Sequence, residues 1–272
     1  MIRKNIFLLS LIIFICFQGN IFAQGDLMIM PKRIVFDGPE RSQEVNLVNT
    51  GSDSATYAIS FIQYKMKEDG SFEQITEPEE SQKFADEFLR YYPRRVSLAP
   101  NEAQTLKLQI TRSGNLQNGE YRSHLYFRAV EKQTALGSEQ STDSDENISI
   151  NIKTVFGISI PVIIRKGAST TEIELNNVSL DLSNKPTLSI SINRKGNMSV
   201  YGNIFVNYIS ENVAPITIGS VKGIAVYTPN EKRDFSFVLQ NTEEIDLSQG
   251  SLEISYESDL GEVYTTTIYQ LD

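Results

Sequence analysis

Apolar and polar residues alternate along much of the chain, and the longest such run is ISINIKTVFGISIPVII at 148–164. Ile148, Ile150, Ile152, Phe156, Ile158, Ile160, Val162 and Ile164 occupy every second position, with Thr154 as the one lapse. A period of two places all of them on one face of a β-strand. At about 3.3 Å per residue this 17-residue run would reach roughly 55 Å, whereas strands usually hold about five or six residues. A sandwich covers roughly seven to ten residues of one strand. Ile158, Ile160 and Val162 are therefore expected in the home core, and the apolar side chains upstream exceed what that core needs.

Shorter alternating runs precede it: KRIVF (32–36), QEVNLVN (43–49), TYAISFIQYKM (56–66), QTLKLQI (104–110) and YRSHLYFRAV (121–130). The turn signals DGPE, NTGSDS, EDGS, APNE and NGE fall between them. This spacing predicts an all-β chain built as sandwiches. One stretch reads differently. EESQKFADEFLRYY (79–92) spaces Phe84, Phe88 and Tyr91 by four and three, which predicts a turn or two of helix before Pro93. EKQTALGSEQSTDSDEN (131–147) is polar and acidic and reads as a long mobile loop, and RKGASTT (165–171) reads as a linker. Seven further strand-like segments follow it. The expected division is a domain over 24–166 and a second β-sandwich over 167–272, with a hinge near 165–171.

The first 23 residues carry Arg3 and Lys4, an apolar run from Ile6 to Phe17 and Ala23. That is the charge, apolar core and small exit residue of a cleaved secretory leader, with an apolar run too short to cross a bilayer. Its removal takes the net charge from −9 to −11 and leaves 249 residues without cysteine, since Cys16 departs with it. Disulfides and thiol chemistry are thereby excluded from the mature chain. The acidic balance argues against nucleic acid as a partner.

Candidate catalytic chemistry is sparse. His124 is the only histidine and falls in a strand-like run, where a sheet-surface position is expected. No P-loop, dinucleotide fingerprint or nucleophile elbow is present. DSDEN (143–147) lacks the glycine and closing glutamate of an EF-hand loop, so no metal and no cofactor is expected. Binding or assembly outranks catalysis, and the chain is read as a non-enzyme.

The order of the pieces carries a resemblance. LMIMPKRIVFDGPERSQEVNLVNTG, then YYPRRVSLAPNEAQTLKLQI, NGEYRSHLYFRAV and ISIPVIIR, resembles the first domain of PapD-like periplasmic chaperones of pilus and fimbrial assembly, over roughly residues 27–166. The resemblance implies two immunoglobulin-like β-sandwich domains joined at a hinge, a periplasmic location, and pilus or fimbrial subunits as clients. It implies donor-strand complementation, in which the chaperone lends a strand to a client sandwich that lacks one. The lent side chains would be Ile148, Ile150, Ile152 and Phe156. Arg33 matches an arginine that grips the client's terminal carboxylate. The lysine that shares this task is replaced by Pro161, leaving Lys32 as the alternative cation. Arg165 matches an arginine that pairs with acids at the domain junction, where Arg122 stands at one acidic position and Glu120 lies two residues before it. An outer-membrane assembly platform is a further candidate partner, and a second copy of the chain, through the apolar edge strand, is another. The competing reading is a secreted surface adhesin or structural Ig-like sandwich.

Overall fold

A computed structural model of the protein describes residues 27–130, 155–211, 214–243 and 245–271. The expected leader (1–23), the expected loop (131–147) and Ile148, Ile150 and Ile152 lie outside the described residues. Among the described residues ten strands precede residue 167: β1 (Leu27–Met30), β2 (Ile34–Phe36), β3 (Ser42–Asn49), β4 (Ala55–Met66), β5 (Phe72–Ile75), β6 (Leu89–Tyr92), β7 (Arg95–Leu98), β8 (Ala103–Ile110), β9 (Gly119–Val130) and β10 (Gly157–Lys166). They form a sheet ordered β1-β3-β8-β6 and a larger one ordered β2-β10-β9-β4-β5, with β7 also on β4. Seven more follow among the described residues: β11 (Glu172–Asp181), β12 (Thr187–Lys195), β13 (Val200–Ile209), β14 (Ile216–Val226), β15 (Lys232–Val238), β16 (Ser251–Glu257) and β17 (Val263–Gln270). These make sheets ordered β11-β12-β15 and β14-β13-β16-β17. The chain is all-β, two sandwiches in series.

Period-two patterning explains each core. In β8, Leu106, Leu108 and Ile110 are buried while Thr105, Lys107 and Gln109 face water. They meet Leu125, Phe127, Ile160 and Val162 of the opposite sheet. Burial of each such side chain contributes about 1.5–3 kcal/mol. The second core joins Leu188, Ile190 and Ile192 of β12 to Ile204, Val206, Leu252 and Ile254 of the facing sheet. Met66, Ile163, Ala225 and Tyr227 form a smaller buried cluster that spans the two sandwiches.

One local expectation is corrected. The 79–92 stretch gives one 3-10 turn, Asp86–Phe88, and then runs into β6. Its aromatic rings are spent on the sandwich instead of a helix face: Phe88 packs on Tyr121 at 5.1 Å and Tyr91 on Phe61 at 5.2 Å. The LMIMPKRIVF run is shared between the two sheets. It breaks at Pro31–Arg33, so that β1 joins one sheet and β2 the other.

Candidate functional site

β10 is where the long alternating run meets the fold. Along its whole length it pairs antiparallel with β9, from Gly157↔Arg128 to Lys166↔Gly119. On its other border only Val162–Ile164 are covered, by a parallel pairing with Ile34–Phe36 of β2. Among the described residues no strand borders Gly157–Pro161 on that side. The Ala129 N–H donates to the Phe156 C=O at 2.9 Å. That bond fixes the phase of the ladder: Phe156, Ile158 and Ile160 turn their backbone groups toward β9, and Gly157, Ser159 and Pro161 turn theirs to the open border. The missing N–H of Pro161 therefore costs no β9 ladder bond, which is why a proline sits inside this strand.

The apolar row changes character along β10. Phe156 is 41% exposed, Ile158 is half-buried, and Ile160 and Val162 are 4% and 0% exposed. The alternation thus outruns the home core at its upstream end. Gly157 has a packing reason, because a Cβ there would collide with the Tyr126 ring and hydroxyl across the strand pair.

The other face of β9 carries Glu120, Arg122 and His124, all buried against the second sandwich and the β4–β5 hairpin. Glu120 and Arg165 form an ion pair at 3.1 Å. Glu120 also accepts from the Ser199 N–H at 3.0 Å, from the Ser199 hydroxyl and from the Thr228 hydroxyl at 3.3 Å. Arg165 donates to the Ser199 carbonyl at 2.7 Å. Every one of these contacts with Ser199 and Thr228 crosses from one sandwich to the other. Arg122 crosses as well, as a cation: it lies 4.5 Å from the Tyr227 ring centre and donates to the Thr228 carbonyl at 3.2 Å. Its Nε and Nη1 are buried without an acceptor among the described residues, and burial pulls the guanidinium below its usual range.

His124 is not on the sheet surface as its sequence context suggests. It is 4% exposed, edge-on to Tyr64 at 4.9 Å and to Phe72 at 5.7 Å. Burial, then the nearby Arg122 charge, push its pKa down to about 3, so the imidazole is neutral at physiological pH. The sheet position was legible in the sequence; the covering hairpin and second sandwich were not.

A cleft of about 530 Å³ opens beside the uncovered stretch of β10. Lys32, Arg33, Ser159 and Pro161 line it from the first sandwich, with Tyr64, Phe72 and His124 behind them. Tyr201, Tyr227 and Arg233 close it from the second. Arg33 stacks 4.6 Å from the Tyr201 ring centre, and its Nε and Nη2 are buried without an acceptor among the described residues. Lys32 is exposed at the mouth. No lining residue is acidic. Arg233 went unremarked in the sequence, because nothing in the DFSFVL pattern next to it shows that the β4–β5 turn folds back onto its side chain. Among the described residues no cluster of three or more metal-ligating side chains occurs, and no helix is long and apolar enough to cross a membrane.

No protein-family model matches the chain, and no curated relative does. Solved structures that share similarity include a chain of the CsuC–CsuE chaperone–tip adhesion subunit complex of Acinetobacter baumannii archaic chaperone-usher Csu pili. There the identity is 12%, covering 90% of this chain and 97% of that one, with a TM-score of 0.45. The Pseudomonas aeruginosa CupB2 chaperone is 13% identical over 90% of this chain and 100% of its own, with a TM-score of 0.42. The E. coli chaperone DraB is 10% identical over 90% and 96%, at 0.43.

Proposed function

We propose that the protein is a periplasmic, non-enzymatic chaperone that captures fimbrial or pilus subunits by adding its β10 strand to their incomplete sandwich. The observation that carries this reading is the alignment of the open border of β10 with the cationic cleft. β2 runs parallel to β10 and stops being paired at Ile34, just where Arg33 and Lys32 turn into the cleft. A client strand laid parallel along Gly157–Pro161 would continue the line of β2 and bring its C-terminal carboxylate to Arg33. A guanidinium fork suits both carboxylate oxygens.

Phe156 would enter the client's groove, and Ile148, Ile150 and Ile152 would continue the same alternating row upstream. Strand addition supplies backbone hydrogen bonds for affinity, and alternate side chains supply specificity. Completing the client's core would drive its folding without nucleotide. In this reading the functional units are the chaperone domain at 24–166 and the sandwich at 167–272, with Glu120, Arg122 and Arg165 fixing the angle between them. An adhesin or purely structural sandwich has no use for an apolar row that outruns its own core toward an unpaired border, which is otherwise an aggregation hazard.

Co-expression with a fimbrial subunit tests the reading. A soluble one-to-one complex is expected, and it should be lost when Ile150→Asp and Ile152→Asp are combined. A normal complex from that double variant would refute strand donation.

A further inference from the structure

Beside Arg33 the cleft wall holds Pro161, which brings no charge to it. Arg233 of β15 reaches the same cleft from the opposite wall. Its Nη1 donates to the Ala225 carbonyl at 2.7 Å, its guanidinium lies 5.6 Å from the Phe235 ring centre, and its Nε is buried without an acceptor among the described residues.

The first sandwich holds that side chain in place. The turn between β4 and β5 docks on β15, where the Asp234 N–H donates to the Glu68 carbonyl at 2.8 Å. Gly70 in this turn has φ +82, and a Cβ there would come within 2.5–2.7 Å of Nη2, Nε and Cζ of Arg233. Glycine thus lets the turn adopt its left-handed backbone and lets the guanidinium lie flat against it. Phe72, at the start of β5, continues the wall to Tyr227, ring centres 6.2 Å apart.

Two guanidiniums from different sandwiches therefore face one aromatic cleft, each with an unmet buried donor and with no acidic residue in the lining. A buried donor left unmet is destabilising, the more so for a charged group, so an incoming anion that accepts from both is favoured. We propose that Arg233 is the second anchor: the cleft takes a chain-terminal carboxylate bridged by Arg33 and Arg233, with a large apolar terminal side chain against Tyr201, Tyr227 and Phe72. This rests on the client-binding reading above and adds to it a specificity for the client's last residue. Binding also ties the two sandwiches together, because each oxygen is held from a different one.

The test is an NMR titration of the full chain with N-acetyl-L-phenylalanine and, separately, its amide, following the arginine Nε–H signals. Both the Arg33 and Arg233 signals should move with the acid and neither with the amide. Arg233→Ala should weaken the acid at least tenfold, and Arg233→Lys should restore part of it. A response at Arg33 alone, or full acid affinity in Arg233→Ala, overturns the inference while leaving subunit capture intact. Loss of acid binding in Arg233→Lys as deep as in Arg233→Ala would also count against a charge role. Failure of the unaltered chain to co-purify a fimbrial subunit would instead remove the client reading itself.

Discussion

Two clefts flank the junction between the sandwiches, and they treat their arginines in opposite ways. On one side, whose lining includes Glu120 and Arg194, both of these groups are met within the protein. Glu120 takes an arginine and two hydroxyls, and Arg194 donates to the carbonyls of Asn230, Gly196 and Met198 at 2.8–3.0 Å. On the other side Arg33 and Arg233 each retain a buried donor with no acceptor among the described residues, between aromatic walls. Met charges hold a joint; unmet charges of one sign are arranged for something that arrives. Arg122 at the junction shares the unmet character, with Nε and Nη1 lacking an acceptor among the described residues, so the contrast lies between Glu120, Arg165 and Arg194 on one side and Arg33 and Arg233 on the other.

The largest effect should come from the side whose charges are met. Glu120→Ala leaves Arg165 without its carboxylate partner and removes the acceptor for Ser199 and Thr228, so a loss of about 3–5 kcal/mol is expected. Equilibrium denaturant unfolding measures it, and a loss under about 1 kcal/mol would show that the network does not hold the joint. Arg33→Ala reverses the pattern. Stability should change little, while subunit affinity falls by about 10–100-fold, the worth of a charge-assisted hydrogen bond. Surface-bound titration of a fimbrial subunit reads this directly.

His124 sharpens the comparison by pH. Its folded pKa of about 3 lies below the ordinary 6.5, so the unfolded chain binds the proton more readily. Its contribution to stability is complete above pH 6.5 and is lost as pH falls toward 3, at about 1.4 kcal/mol per unit. His124→Phe should flatten the unfolding free energy between pH 6.5 and 4 by about that slope. An unchanged slope would mean that the imidazole is not shielded. The smallest effect belongs to Lys32→Ala. Lys32 is exposed at the mouth, so client affinity should fall by less than about 1 kcal/mol and the fall should vanish at high salt.

The sandwich architecture was legible because period-two alternation is a local property: all seven segments expected after the linker are strands, β11–β17. The helix expectation failed because spacings of three and four among Phe84, Phe88 and Tyr91 do not by themselves fix helical geometry when each ring finds a partner across the sandwich. The home-core limit on β10 followed from length alone, with Ile160 and Val162 buried and Phe156 exposed. Arg33 and Lys32, named through the resemblance, line the cleft, and their anchoring role belongs to the proposal. Arg233, the burial of His124 and the reach of Glu120 to Ser199 depend on how one sandwich sits against the other, and no short-range pattern encodes that.

The central claim is that the upstream half of β10 keeps one border for a client. Backbone hydrogen exchange at Gly157 and Ser159, resolved by NMR in the free chain and in a one-to-one complex with a fimbrial subunit, tests it most directly. Both amides should exchange freely alone and become strongly protected in the complex, while Ile163, already paired with β2, is protected in both. Protection of Gly157 and Ser159 in the free monomer, or none in the complex, would contradict the account.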